Sequence, residues 1–141
     1  MRELPLRQDN AFIDIVIKAD VISKKNAYAS GRGGRRFKPK RVVDAEENAL
    51  FQIPHDYYLL ELVHPAVEFK AYLPKKSWAM DRDGAWTTVL DYLVKAKVIK
   101  DDNVRNFNAP VYHHPVEEAP EKIFKVRIYP NGKIDSISTD L

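Results

Sequence analysis

One stretch of the chain limits the possible folds more than any other. From Asp83 or Gly84 to Ala96, the residues Trp86, Val89, Leu90, Leu93 and Val94 recur at i, i+3, i+4, i+7 and i+8. That spacing gathers them on one side of an α-helix of about four turns. A helix with a single apolar stripe must bury it against another element. Strands are available for this. Residues 12–18 set Ile13, Ile15 and Ile17 against Asp14 and Val16, and residues 67–72 alternate in the same way. Residues 107–113 and 122–129 read as further strands, the last carrying Ile123, Phe124, Val126 and Ile128. A second helix is expected over 42–53, with Val43, Leu50 and Phe51 at helical spacing between Pro39 and Pro54.

The fold class expected is therefore mixed α/β (α+β), a small mixed sheet of about four strands with two main helices. With 141 residues the chain suits one domain, 1–141. Residues 57–60 fit a helix or a strand equally well. Residues 73–80 and the acidic, proline-bounded 116–121 are expected to be loops. Pro130-Asn131-Gly132-Lys133 is expected to be a hairpin turn leading to Ile134 and Ile137.

The absence of cysteine excludes a disulfide framework, a thiolate zinc site and a cysteine nucleophile. No apolar run approaches the roughly 20 residues of a membrane span, and the first ten residues are polar and broken by Pro5, so no membrane partner and no signal peptide are expected. A soluble, intracellular, cytoplasmic protein is the expectation. Net charge is only +3, but its distribution is uneven. Lys24, Lys25, Arg32, Arg35, Arg36, Lys38, Lys40 and Arg41 fall in one segment without an acidic residue, beside Gly31, Gly33 and Gly34. Such a loop or loose hairpin attracts a polyanion, with an affinity that weakens as salt rises. Tyr28 and Phe37, its aromatics, suit either base stacking or core cover.

Carboxylates collect elsewhere. Asp81 and Asp83 open the confident helix as Asp81-Arg82-Asp83-Gly84, and Asp101-Asp102 follows its end. Like charges gathered closely repel unless neutralised, and a hard divalent cation with oxygen ligands is the usual neutraliser. Asp83 is placed to cap the helix, and in an extended entry Asp81 and Asp83 would face one ion. Asp102 reaches that ion only if the chain folds back after Ile99 or if a second subunit supplies it. Capping and a solvated acidic turn remain the alternative reading. An EF-hand is excluded, because Gly84 is the fourth residue of the run and not the sixth. His113-His114 is no metal pair, since neighbours on a strand point to opposite faces. No serine sits in a nucleophile elbow, and Gly31-Arg32-Gly33-Gly34 lacks the Lys-Ser/Thr of a phosphate-binding loop.

The run Asp81-Arg82-Asp83-Gly84, the helix containing Val89-Leu90-Asp91-Tyr92-Leu93-Val94-Lys95-Ala96, and Lys100-Asp101-Asp102-Asn103 together resemble the RusA family of Holliday junction resolvases, over roughly residues 12–130. The resemblance implies a homodimer that cuts four-way junctions and other branched DNA symmetrically, using magnesium, with manganese as a substitute. It implies Asp81, Asp83 and Asp102 as catalytic metal ligands and Asp101 as an accessory acid or a structural partner. It also implies DNA contacts from the basic segment. Two positions depart from the family pattern: Gly84 stands where Asn is common, and Thr87 stands where well-studied members carry a catalytic lysine. Lys76, or its neighbour Lys75, is the expected replacement, and both are expected to touch DNA. A catalytically weak or inactive dimeric junction-binding protein is the alternative. Trp78 could meet substrate, whereas Trp86 belongs to the apolar stripe.

Overall fold

The alternating segments pair as their register requires. The computed structural model describes residues 11–18, 29–30, 36–37, 39–74, 82–100 and 110–141, and for 29–30, 36–37 and 82–84 the backbone alone. The strands are β1 (Ile13–Ile17), β2 (Ala29–Ser30), β3 (Arg36–Phe37), β4 (Ala66–Leu73), β5 (Val111–His113), β6 (Glu117–Glu118) and β7 (Ile123–Tyr129). Two helices, α1 (Lys40–Gln52) and α2 (Arg82–Lys95), complete the main elements. The five-stranded sheet runs β1-β7-β4-β5, with β6 also beside β4. The β1/β7 and β7/β4 pairs are antiparallel, whereas β4 pairs in parallel with β5 and β6. A parallel pair needs a long crossover, and α2 supplies it between β4 and β5.

Register turns alternation into a core. Ile13, Ile128 and Val67 form one row across the sheet, Ile15, Val126 and Phe69 a second, and Ile17, Phe124 and Ala71 a third. All nine are nearly or fully buried. The α2 stripe lies on this face: Trp86 packs against Phe69 at 5.3 Å between ring centroids, and Val89, Leu90 and Leu93 are buried in the same cluster. Each such side chain contributes about 1.5–3 kcal/mol of burial. The sequence expectation of a mixed sheet with two main helices holds, with one more strand than expected.

The end of α2 follows a C-capping pattern. Lys97 has φ 61°, its N–H bonds Val94 O at 3.0 Å, and the Val98 N–H bonds Leu93 O at 3.0 Å. These are the two bonds of a Schellman motif, and the buried Val98 and Leu93 are its apolar pair. The chain therefore turns at Lys97. Residues 59–62 run beside it: Glu61 N–H bonds Lys97 O at 2.8 Å, Leu62 N–H bonds Val98 O at 3.0 Å, and Lys100 N–H bonds Leu62 O at 2.8 Å. Residues 57–60 are neither α-helix nor strand. Tyr57 and Tyr58 close the 3-10 turn His55–Tyr57 through Pro54 O and His55 O, and the Leu59 N–H then reaches Ala96 O at the α2 exit, with positive φ at Leu59 and Glu61.

Two loop expectations are corrected. Residues 116–121 contain β6, because Glu117 and Glu118 meet Tyr72 and Leu73 at the end of β4. The turn at residues 130–132 forms, with Gly132 at φ 81° and its N–H on Tyr129 O at 3.0 Å, but it does not lead into a strand. Residues 134–141 cross the second face of the sheet instead, drawn by polar groups there.

Candidate functional site

Of the aspartates expected to carry chemistry, only the Asp83 backbone is described, at the start of α2. β4 ends at Leu73, the described chain resumes at Arg82, and the start of α2 is anchored by buried Ala85 and Trp86. Trp86 sits 5.3 Å from the Phe69 ring and 6.2 Å from the His113 ring, so the helix N-terminus is fixed against β4 and β5. Because α2 begins at Arg82, Asp83 is its second residue and not its N-cap. The backbone at Arg82 and Asp83 is helical, not extended. An acidic residue in the first turn still meets the positive end of the helix dipole. Thr87, one turn on, is half-buried. Asp81, Asp101, Asp102, Lys75, Lys76 and Trp78 lie outside the described residues, as does the Asp83 side chain.

The far end of α2 sets a reach condition. Ile99 N–H lies 3.5 Å from Leu93 O, and Leu93 is about 15 Å along the helix from Asp83. Three extended residues from Ile99 to Asp102 cover about 10 Å.

Of the basic residues, Lys40 and Arg41 are described fully and are exposed as the first two residues of α1. Pro39 precedes them without a side-chain cap, and the first turn holds no acidic residue. Cations at a helix N-terminus oppose its dipole by roughly 0.3–1 kcal/mol each, and an anion bound there relieves this. Arg36 lies on β3, which pairs antiparallel with β2, so the basic segment contains a short two-stranded ribbon. Lys24, Lys25, Tyr28, Arg32, Arg35 and Lys38 lie outside the described residues, and so does the Phe37 side chain.

The second face of the sheet holds a polar network that periodicity did not reveal. Glu68, fully buried, accepts from Tyr129 Oη, from the Ser138 N–H at 2.8 Å and from the Ser138 hydroxyl at 2.7 Å, and it meets His114 Nε2 at 2.8 Å. Burial pushes the Glu68 carboxyl up, but these hydrogen bonds outweigh it and hold it below its ordinary value. Beside it, Arg127 spends all five N–H donors: two on Asp14 at 2.8 and 2.9 Å, two on Asp140 at 2.8 and 3.2 Å, and one on the Ser138 hydroxyl at 2.9 Å. The Phe12 ring covers the guanidinium at 4.0 Å. Hydrogen bonds to Asp14 and Asp140 raise the Arg127 pKa further, and Arg127 in turn lowers that of Asp140. The only sequence signal was a charged residue at each outward position, Glu68 and Arg127. Such residues normally face water.

The histidines behave as strand neighbours should. His113 faces the core beside Phe69 at 6.0 Å, and His114 faces Glu68 on the other side. Among the described residues no group of three or more His, Asp or Glu side chains is placed to hold a metal ion. Also among them, no helix is long and apolar enough to cross a membrane.

The chain is similar to a RusA-type nuclease. It is 28% identical over 93 residues to the crossover junction endodeoxyribonuclease RusA of Aquifex aeolicus (strain VF5), a match covering 65% of this chain and 73% of that relative. No family model matches.

Proposed function

We propose that this protein is a magnesium-dependent, structure-selective endodeoxyribonuclease that resolves four-way junctions and other branched DNA as an intracellular homodimer in recombination and repair. The likeness to the Aquifex RusA enzyme is the observation that carries the reading. The position of Asp83 in the first turn of α2 and the uncapped basic start of α1 are consistent with it.

Asp81, Asp83 and Asp102 would hold the cation. An all-carboxylate donor set suits magnesium or manganese rather than a softer metal. When bound, the ion polarises the scissile phosphate and acidifies a bound water. The chain's own groups do the rest. Lys76 or Lys75 stabilises the charge that develops on the phosphate, in place of the lysine that Thr87 lacks. Lys24, Lys25, Arg32, Arg35, Arg36, Lys38, Lys40 and Arg41 hold the DNA backbone. If Asp102 acts within its own chain, residues 99–102 must run extended back along α2. A second copy that supplies Asp102 removes that demand, and a dimer also matches the two-fold symmetry of a four-way junction.

Asp81→Asn tests the assignment on a synthetic four-way junction with magnesium. Cutting is expected to disappear while binding persists. Cutting at the normal rate would remove the aspartates from the mechanism. A second reading, a junction binder that cuts weakly or not at all, is favoured by Thr87 and Gly84 at positions where the resembled family carries Lys and Asn. A shifted junction band without product from the wild-type protein, in magnesium and in manganese, would establish it.

A further inference from the structure

Among the described residues, the three most exposed large apolar side chains fall in one stretch: Phe51 at 84%, Leu59 at 67% and Val63 at 60%. Apolar residues scattered singly over a surface are ordinary, whereas a group of them marks an interaction site. The chain holds these three together. Tyr58 donates its hydroxyl to Leu50 O, which ties the residue before Leu59 to the end of α1 beside Phe51. Beyond it, Leu60 is half-buried and Leu62 buried, while Leu59, Glu61 and Val63 stand exposed.

This display is maintained against backbone strain. Leu59, Glu61 and His64 have φ of 64°, 50° and 49°. Residues with a Cβ avoid that region and stay in it only where their surroundings over-determine it. Hydrogen bonds do so here: the Leu59, Glu61 and Leu62 N–H groups bond Ala96, Lys97 and Val98 O, and the Lys100 N–H returns to Leu62 O. The same bonds set Lys97 and Lys100 alongside Glu61. All three are exposed, and none forms an ion pair among the described residues. One face therefore carries a carboxylate between two apolar side chains, with two lysines on the segment beside it.

We propose that residues 51–63, with Lys97 and Lys100 beside them, form the surface through which two copies of this chain pair. The charges select the occupant. A two-fold axis brings a surface against itself, so the surface must complement its own pattern. An acid and two bases on one apolar face meet that condition: Glu61 of each copy faces Lys97 and Lys100 of the other. A polyanion would be repelled by Glu61, and a partner of a single charge sign would leave one of the two signs unmatched. Phe51, Leu59 and Val63 supply the apolar anchors, and the charged residues supply the rim. The proposal rests on the homodimer in the proposed function and not on the nuclease activity.

Sedimentation equilibrium of the full-length protein, from submicromolar to high micromolar concentration and without DNA, tests this. Leu59→Glu/Val63→Glu is expected to weaken the dimer by about 100-fold or more. Ile137→Ser, at an exposed apolar residue outside the face, should leave it unchanged. Glu61→Lys alone and Lys97→Glu/Lys100→Glu alone should each weaken it by about 10-fold or more, and an equimolar mixture of the two should recover the wild-type affinity, because every contact across the axis is then between opposite charges. Misfolding of either variant cannot produce that recovery. A wild-type protein that stays monomeric throughout removes the homodimer of the proposed function together with this surface. Wild-type dimers that survive Leu59→Glu/Val63→Glu remove this surface alone, and a weakened junction Kd in that variant would then assign the face to DNA. Loss of the dimer in both charge variants without recovery in the mixture overturns the two-fold pairing.

Discussion

Ser138 is bound to Glu68 twice, once through its N–H at 2.8 Å and once through its hydroxyl at 2.7 Å, although the two residues stand 70 positions apart. A fully buried carboxylate survives only when its lone pairs are filled, and these two bonds, with those from Tyr129 and His114, fill them. Removing the acceptor strands the donors. Glu68→Ala is expected to destabilise the fold by about 3–5 kcal/mol, read as a lower urea midpoint with the slope preserved. A loss below about 1 kcal/mol would mean that the donors find water instead.

Arg127 offers a second test, because its fork engages two carboxylates at once. Lysine keeps the charge but has three donors on a point-like head. Arg127→Lys should therefore cost about 1–3 kcal/mol, measured by thermal unfolding, despite being charge-neutral. An unchanged midpoint would show that charge alone suffices.

The acid limb of the stability curve should carry the mark of the same network. Glu68 and Asp140 both titrate below their ordinary values in the folded protein, Glu68 because its hydrogen bonds exceed the burial penalty and Asp140 because of Arg127. Groups with a depressed folded pKa add stability that is complete above the unfolded carboxylate range, about 4, and lost as pH falls through the folded value. Unfolding midpoints should thus be level near neutrality and fall below about pH 4, with a shallower fall in Glu68→Gln. Equal slopes in the two proteins would show that Glu68 does not drive the acid limb.

Lys97 occupies the left-handed position of the α2 cap, φ 61°, where a side chain is strained. Lys97→Gly should stabilise the protein by about 1 kcal/mol in chemical denaturation. The reverse applies at Gly132, φ 81°, where an added Cβ would stand 3.2 Å from His64 O, so Gly132→Ala should destabilise.

The basic start of α1 should set stability against binding. Lys40→Glu/Arg41→Glu places acids where the helix dipole favours them and should raise the unfolding midpoint by the equivalent of about 1 kcal/mol. The same change should weaken DNA binding and flatten its salt dependence by about two phosphate contacts. Unaltered DNA affinity would separate α1 from the DNA-binding surface.

The local patterns determined much of this protein without help. Ile13, Ile15 and Ile17 face the core because a strand repeats every two residues, and Trp86, Val89, Leu90 and Leu93 do so because a helix repeats every 3.6. Pro39 and Pro54 bracket α1 as their missing N–H groups require. The placement of Asp83 near a helix start was legible too, though not its exact turn. Only the tertiary structure decided what happens on the outward face. Glu68 and Arg127 follow the same alternation as any solvated residue, and they are buried because residues 134–141 return over them. The fork from Arg127 to Asp14 spans 113 positions, and no periodicity encodes a contact at that separation. It depends on three strands meeting in one register and on a terminal segment with the right polar groups passing over them.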